Sequence, residues 1–161
     1  MTEISFAHNL HNEKAQQSKV LNGRVLAIDY GKRHVGVAIS DESGTSVRPL
    51  AFLTRTNWKK LLRDVSDLLV SFDARTIVIG LPLRMDNSDS EMAAEVRRIA
   101  RNFQLSLGVP VLLQDEKLTS RAATEMLNES KQPKTNEHSL AATIILRDYL
   151  DNFDQTSGVE L

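Results

Sequence analysis

A chain of 161 residues without cysteine has room for one α/β domain that buries roughly 70% of the surface its unfolded form exposes, and it can carry neither a disulfide nor a thiolate metal site. Its 20 basic and 21 acidic residues leave a formal net charge of -1, so the field of the whole molecule does not draw it to nucleic acid, and any such binding must use local patches. No signal-peptide core stands near the start and no run of about 18 apolar residues occurs anywhere; with the missing cysteines, this predicts a soluble cytoplasmic protein with no membrane partner.

Residues 1–22 are polar and aperiodic, the composition of a flexible arm. The run 24–30 (RVLAIDY) is nearly continuous apolar, Gly31, Lys32, Arg33 and His34 form a turn, and 35–40 (VGVAIS) is apolar and β-branched again, which predicts two adjacent central strands joined as a hairpin. A third strand over 47–53 completes an antiparallel meander, with Pro49 indicating an edge position or a bulge. Trp58, Leu61, Leu62, Val65, Leu68, Leu69 and Phe72 then recur at spacings of three and four, the mark of an amphipathic helix. A short buried strand at 76–80 (TIVIG) leads into the loop 81–87 (LPLRMDN). Ser88 and Glu91 fit a capping box opening a helix that buries Met92, Val96, Ile99, Ala100 and Phe103. A fifth strand at 111–113, a helix at 120–127, a polar loop at 128–135 and a last helix from Asn136 to about Asp151 complete the pattern βββαβαβαα.

This order predicts an α/β fold with a mixed five-stranded sheet, a three-stranded antiparallel meander plus two parallel strands, and helices on both faces. It divides the chain into the arm 1–22, one domain at 23–152 and a tail at 153–161.

Asp29 stands near the end of a strand that otherwise reads as buried, and a buried carboxylate is costly unless paired, hydrogen-bonded or bound to metal. A second acidic pair, Asp115 and Glu116, also follows a strand, and the C-terminal ends of parallel strands share one edge, where active sites of open α/β sheets collect. Side chains alternate along a regular strand, so one of the two acids points towards Asp29 while the other caps the next helix or turn. Converging carboxylates suit a hard ion such as Mg2+ or Mn2+, which cleaves phosphodiesters by activating water and stabilising the leaving oxygen. The plainer reading, solvated charges at strand ends, weighs about equally on these residues alone.

Asp29-Tyr30-Gly31 with Gly36-Val37-Ala38, then Ile79-Gly80-Leu81-Pro82-Leu83, then Asp115-Glu116-Lys117-Leu118-Thr119-Ser120, then Leu140-Ala141-Ala142 with Ile145-Leu146 together resemble the YqgF (RuvX-like) family, in order and over most of the chain. The resemblance implies a ribonuclease H-like fold and a metal-dependent nuclease whose substrate is RNA, in 5'-end processing of pre-16S ribosomal RNA within ribosome biogenesis. The alternatives are a Holliday junction resolvase acting on branched DNA, which needs a homodimer for paired cuts, and a binding module for nucleic acid or ribosomal particles with a weakened site. Monomer and dimer both stay open. A sugar-kinase type of phosphotransferase also begins with Asp-x-Gly, but it needs two duplicated domains.

Carried onto this chain, the family's first-strand acid is Asp29 and the acid of its second block is Glu116, with Asp115 beside it; the third falls on His138. Exchanging a carboxylate for a neutral imidazole removes attraction worth up to ~4 kcal/mol per metal charge at about 4 Å, before screening, and shifts preference from Mg2+ towards Mn2+. Three outcomes stay open: His138 as a weak ligand or proton shuttle, Glu137 swinging in from about 100° round the helix, or a weakened site. For substrate contact the candidates are Lys32, Arg33, Arg84, Lys117 and Arg121, all expected near the active edge. Arg97, Arg98 and Arg101 read as solvated helix surface. One Trp, two Tyr and five Phe do not advertise base stacking.

Overall fold

A run of seven residues with almost no polar side chain belongs where both faces of a strand are covered, and strand β1, Arg24–Tyr30, takes the middle of a sheet ordered β3-β2-β1-β4-β5. The computed structural model describes residues 21–82, 90–116 and 137–158, with only the backbone at 137 and 154–158. Strands β2 (His34–Ser40) and β3 (Val47–Thr54) continue from β1 as an antiparallel meander. Strands β4 (Ala74–Leu81) and β5 (Val111–Asp115) add to the other side of β1 in parallel. The architecture is the expected mixed five-stranded sheet.

Pro49 sits on the edge strand, opposite Ala38, where a missing N–H is tolerated. The same strand also carries an irregularity, for Val35 pairs with Leu53 but Val37 pairs with Leu50. One extra β3 residue is accommodated between these pairs, so Leu50 and Leu53 both pack on one core and Phe52 is turned to the opposite face.

Helices α1 (Trp58–Phe72) and α2 (Glu91–Leu107) cover one face of the sheet, and α3 (Glu137–Gly158) covers the other. Helix α1 follows its apolar stripe, burying Leu61, Val65 and Leu69, with Asn57 as the cap that accepts from the Lys60 N–H. The expected capping box of Ser88 is corrected. The cap is Ser90, whose Oγ accepts from Ala93 N at 3.1 Å and donates to the Pro82 carbonyl at 3.0 Å. That second bond ties the helix start to the end of β4, a tertiary contact that local sequence does not display.

Strand β5 runs two residues beyond its expected end, to Asp115. Helix α3 begins at Glu137 and continues to Gly158, past the expected end near Asp151, and Tyr149 and Phe153 meet one turn apart with ring centroids 6.2 Å apart. The helix expected at 120–127, the loop at 128–135 and most of the loop at 81–87 lie outside the described residues, as does nearly all of the arm. No described helix is long and apolar enough to cross a membrane.

The alternation of the strands makes two cores. Towards α1 and α2 point Leu26, Ile28, Tyr30, Val35, Val37, Ile39, Ile77 and Ile79, closed over by Phe103 and Val96. Towards α3 point Val25, Ala27, Ala38 and Val78, met by Ala142, Ile145, Leu146 and Leu150. The second core is smaller and made of smaller side chains, which lets α3 lie close to the sheet.

Candidate active site

Strand alternation decides which acids meet. Val25 and Ala27 face α3, so Asp29, next in that series, emerges on the same face near the C-terminal end of β1. On β5, Gln114 pairs with Gly80 and Asp115 with Leu81; Leu81 belongs to the opposite core. Asp115 therefore faces α1 and α2, and Glu116 turns back towards α3. The residues alone left the two acids as alternatives and the resemblance named Glu116, and it is Glu116 that faces Asp29.

Glu116 and Asp29 are still separated by β4, since neighbouring strands lie about 4.8 Å apart. Gly80 solves this. A Cβ at position 80 would press into Glu116 Oε1 and stand 2.5 Å from Ile145 Cδ1, so the missing side chain is the passage by which the Glu116 carboxyl crosses β4. Its side chain is hydrogen-bonded to that of Asp29.

Burial raises the pKa of both groups. The Glu116 carboxyl is pushed up to about 7, first by burial, then by the Asp29 charge, by their shared hydrogen bond and by Asp115. Asp29 is also raised by burial, partly offset by the positive field of His138 and by the bond from Glu116. At acidic pH Glu116 holds a proton that it donates to Asp29, and it loses that proton as pH rises through about 7. Two desolvated carboxylates that oppose each other's ionisation fit a hard divalent cation, which would neutralise both. Among the described residues no third His, Asp or Glu completes a ligand set with them.

His138 stands in the first turn of α3, close enough for its charge to act on Asp29. What brings it there is Gly36, the residue paired with Asp29 across β1 and β2. A Cβ on Gly36 would overlap the His138 carbonyl and come within 3.1 Å of Ser139 N. Buried Ser139 adds an anchor, its Oγ accepting from Val37 N at 3.3 Å beside the irregularity in β3 pairing. The His138 ring stacks on His34, with centroids 4.5 Å apart and planes 23° apart, and Phe52 meets both edge-on.

Lys32 and Arg33 are exposed on the turn that follows Asp29. That turn is held from the other face of the sheet by a residue the sequence did not single out. Arg55 donates from its backbone to the Arg33 carbonyl at 2.8 Å, and from Nη1 to the carbonyls of Gly31 at 3.2 Å and Lys32 at 3.5 Å. Its Nη2 donates to Glu95 Oε1 at 2.8 Å, and the guanidinium lies 4.6 Å over the Tyr30 ring, whose hydroxyl donates to the same Glu95 oxygen. No spacing rule links position 55 to position 31. Of the remaining expected site residues, Glu137 opens α3, and Arg84, Lys117 and Arg121 lie outside the described residues.

A mixed sheet of this order with helices on both faces defines a ribonuclease H-like fold. The fold is similar to Thermus thermophilus RuvC bound to a Holliday junction substrate, with a TM-score of 0.55 at 15% identity over 85% of this chain and 97% of that one. A second Thermus thermophilus RuvC structure matches with a TM-score of 0.51 at 14% identity, over 84% of this chain and 96% of that one. The chain belongs to the RuvX family, whose family model, described as "Holliday junction resolvase", matches residues 23–152. Among its relatives, a "Putative pre-16S rRNA nuclease" of Syntrophus aciditrophicus is 37% identical over 136 residues, 82% of this chain and 91% of that protein. A relative of the same name from Rickettsia akari is 31% identical, over 83% of this chain and 89% of its own length.

Proposed function

We propose that this protein is a divalent-metal-dependent nuclease that hydrolyses RNA phosphodiester bonds, with precursor 16S ribosomal RNA as substrate. The observation that carries the reading is the junction of Asp29 and Glu116 across Gly80. The relatives named for pre-16S rRNA support the choice of substrate.

Asp29 and Glu116 are the residues that would hold Mg2+ or Mn2+. When bound, such an ion supplies an activated water and charge stabilisation for the leaving oxygen. Around it this chain's own groups have separate tasks. Glu116 would hold the ion in its ionised form, and Asp29 is kept in place by the β1 ladder and by its partner. His138, in the first turn of α3 beside Asp29, is the group placed to exchange a proton with the site. Exposed Lys32 and Arg33, on a turn clamped by Arg55, contact phosphates on either side of the cleaved bond. Asp115, turned to the other face, stays outside the ligand set, and Glu137 is the candidate to complete it.

The family description and the likeness in fold to RuvC favour a second reading, cleavage of branched DNA. Purified protein with Mn2+ is to be assayed on a pre-16S RNA 5'-leader fragment and on a four-way DNA junction. We expect RNA cleavage that falls about a thousandfold in Asp29→Asn, as loss of one metal carboxylate takes several kcal/mol from the transition state. Cleavage of the junction and not of RNA reverses the order of the two readings. RNA binding without cleavage in any divalent ion, unchanged in Asp29→Asn, replaces both with a binding module.

A further inference from the structure

The acid pair and the basic turn account for a cation and for phosphates, and leave the ring faces of His138, His34 and Phe52 without a task. We propose that His138, backed by His34 and Phe52, is a stacking platform for an unpaired nucleobase of the strand bound at Asp29. The proposal rests on the nucleic-acid reading above and deepens it.

The rings come from three elements, β2, β3 and α3, and each is brought to this spot by a specific feature. His34 begins β2, the strand next to Asp29. Phe52 faces this side only because β3 takes in one extra residue between Leu50 and Leu53; a bulge is a common means of re-aiming a side chain next to a site. His138 is lowered onto β2 because Gly36 has no side chain. Elsewhere this face of the sheet is floored with Ala27, Ala38 and Gly80, so the rings are its one aromatic feature among the described strand residues.

A ring cluster that served packing alone would be expected to be buried. Here His138 is exposed while one of its faces is covered by His34 at 4.5 Å and Phe52 buttresses both edge-on. An exposed ring held in a fixed orientation is an element that proteins use to hold unstacked bases without regard to sequence.

The position fits a bound strand. The order β3-β2-β1-β4-β5 places the rings on one side of Asp29 and Glu116 on the other. A strand with its phosphate at the acid pair therefore presents an adjacent base to the rings. Stacking uses the face of the His138 imidazole and leaves its in-plane nitrogens for the proton it exchanges near Asp29, so the two tasks do not compete.

Binding of a short single-stranded RNA carrying one 2-aminopurine, and of the same RNA with an abasic site in its place, is to be measured in EDTA, where cleavage does not interfere. We expect the wild type to quench 2-aminopurine and to prefer the base-bearing strand. His138→Ala and His34→Ala should weaken binding of that strand about five- to tenfold and leave the abasic strand unaffected. His138→Phe should retain the preference, because it keeps the ring and discards the imidazole chemistry. Equal weakening on both strands, or loss of the preference in His138→Phe, overturns the platform. A wild type that binds both strands equally overturns the platform alone, and one that binds neither overturns the nucleic-acid reading with it.

Discussion

The two faces of the sheet are built from the same strands and have opposite uses. Towards α1 and α2 the strands present Leu26, Ile28, Val35, Val37, Ile77 and Ile79 under Phe103, a dense core of large residues. Towards α3 the same strands present Ala27, Gly36, Ala38 and Gly80, and where side chains are missing other groups take the space: the His138 backbone at Gly36 and the Glu116 carboxyl at Gly80. One face supplies stability by filling volume. The other makes room for charge by using small residues, and bears the desolvation that pushes Glu116 up to about 7.

If that division holds, damage to the two faces must register in different measurements. The largest effect is expected for Phe103→Ala, which opens a cavity in the large core at a site with no exposed surface. It should lose about 3–5 kcal/mol of stability by chemical denaturation, with kcat of the folded fraction unchanged. Gly80→Ala should do the reverse. Its Cβ displaces Glu116 and presses on Ile145, and a misplacement of about 1 Å costs on the order of 100-fold in rate, with a smaller loss of stability.

Smaller still is an effect of opposite sign on stability. Glu116 is raised from 4.5 to about 7 in the fold, so the metal-free protein retains full stability below the unfolded value and loses some as pH rises through about 7. Glu116→Gln removes that penalty. After allowance for partial exposure it should stabilise the metal-free protein by about 1–2 kcal/mol near pH 8 and by nothing near pH 4, while abolishing activity. A variant no more stable at pH 8 than at pH 4 would mean that the carboxyl is not held against its preference.

The smallest expected change is a gain. His138→Asp places a third carboxylate beside Asp29, and we expect several-fold higher Mg2+-supported cleavage. Unchanged or lower activity would show that position 138 does not reach the cation, as its stacking on His34 would then explain.

The sheet was legible in the sequence because its signals are local. An uninterrupted apolar run marks β1, a second apolar, β-branched run marks β2, and a three-four spacing marks α1. The acid pair was legible in part: Asp29 stood out as a charge in a buried strand, whereas the residues alone did not choose between Asp115 and Glu116, a choice that the resemblance made and that the register of β5 against β4 explains. The contacts at Gly36, the Arg55 clamp on the turn and the cap at Ser90 depend on groups from distant positions meeting, as in the bond from Ser90 to Pro82. The census of Trp, Tyr and Phe pointed away from stacking, and two histidines with one phenylalanine supplied the rings instead.

The account turns on one shared cation, and calorimetric titration of Mn2+ near pH 8 tests that directly. The wild type should bind the ion with heat that is lost in both Asp29→Asn and Glu116→Gln. Undiminished Mn2+ binding in either variant would contradict it.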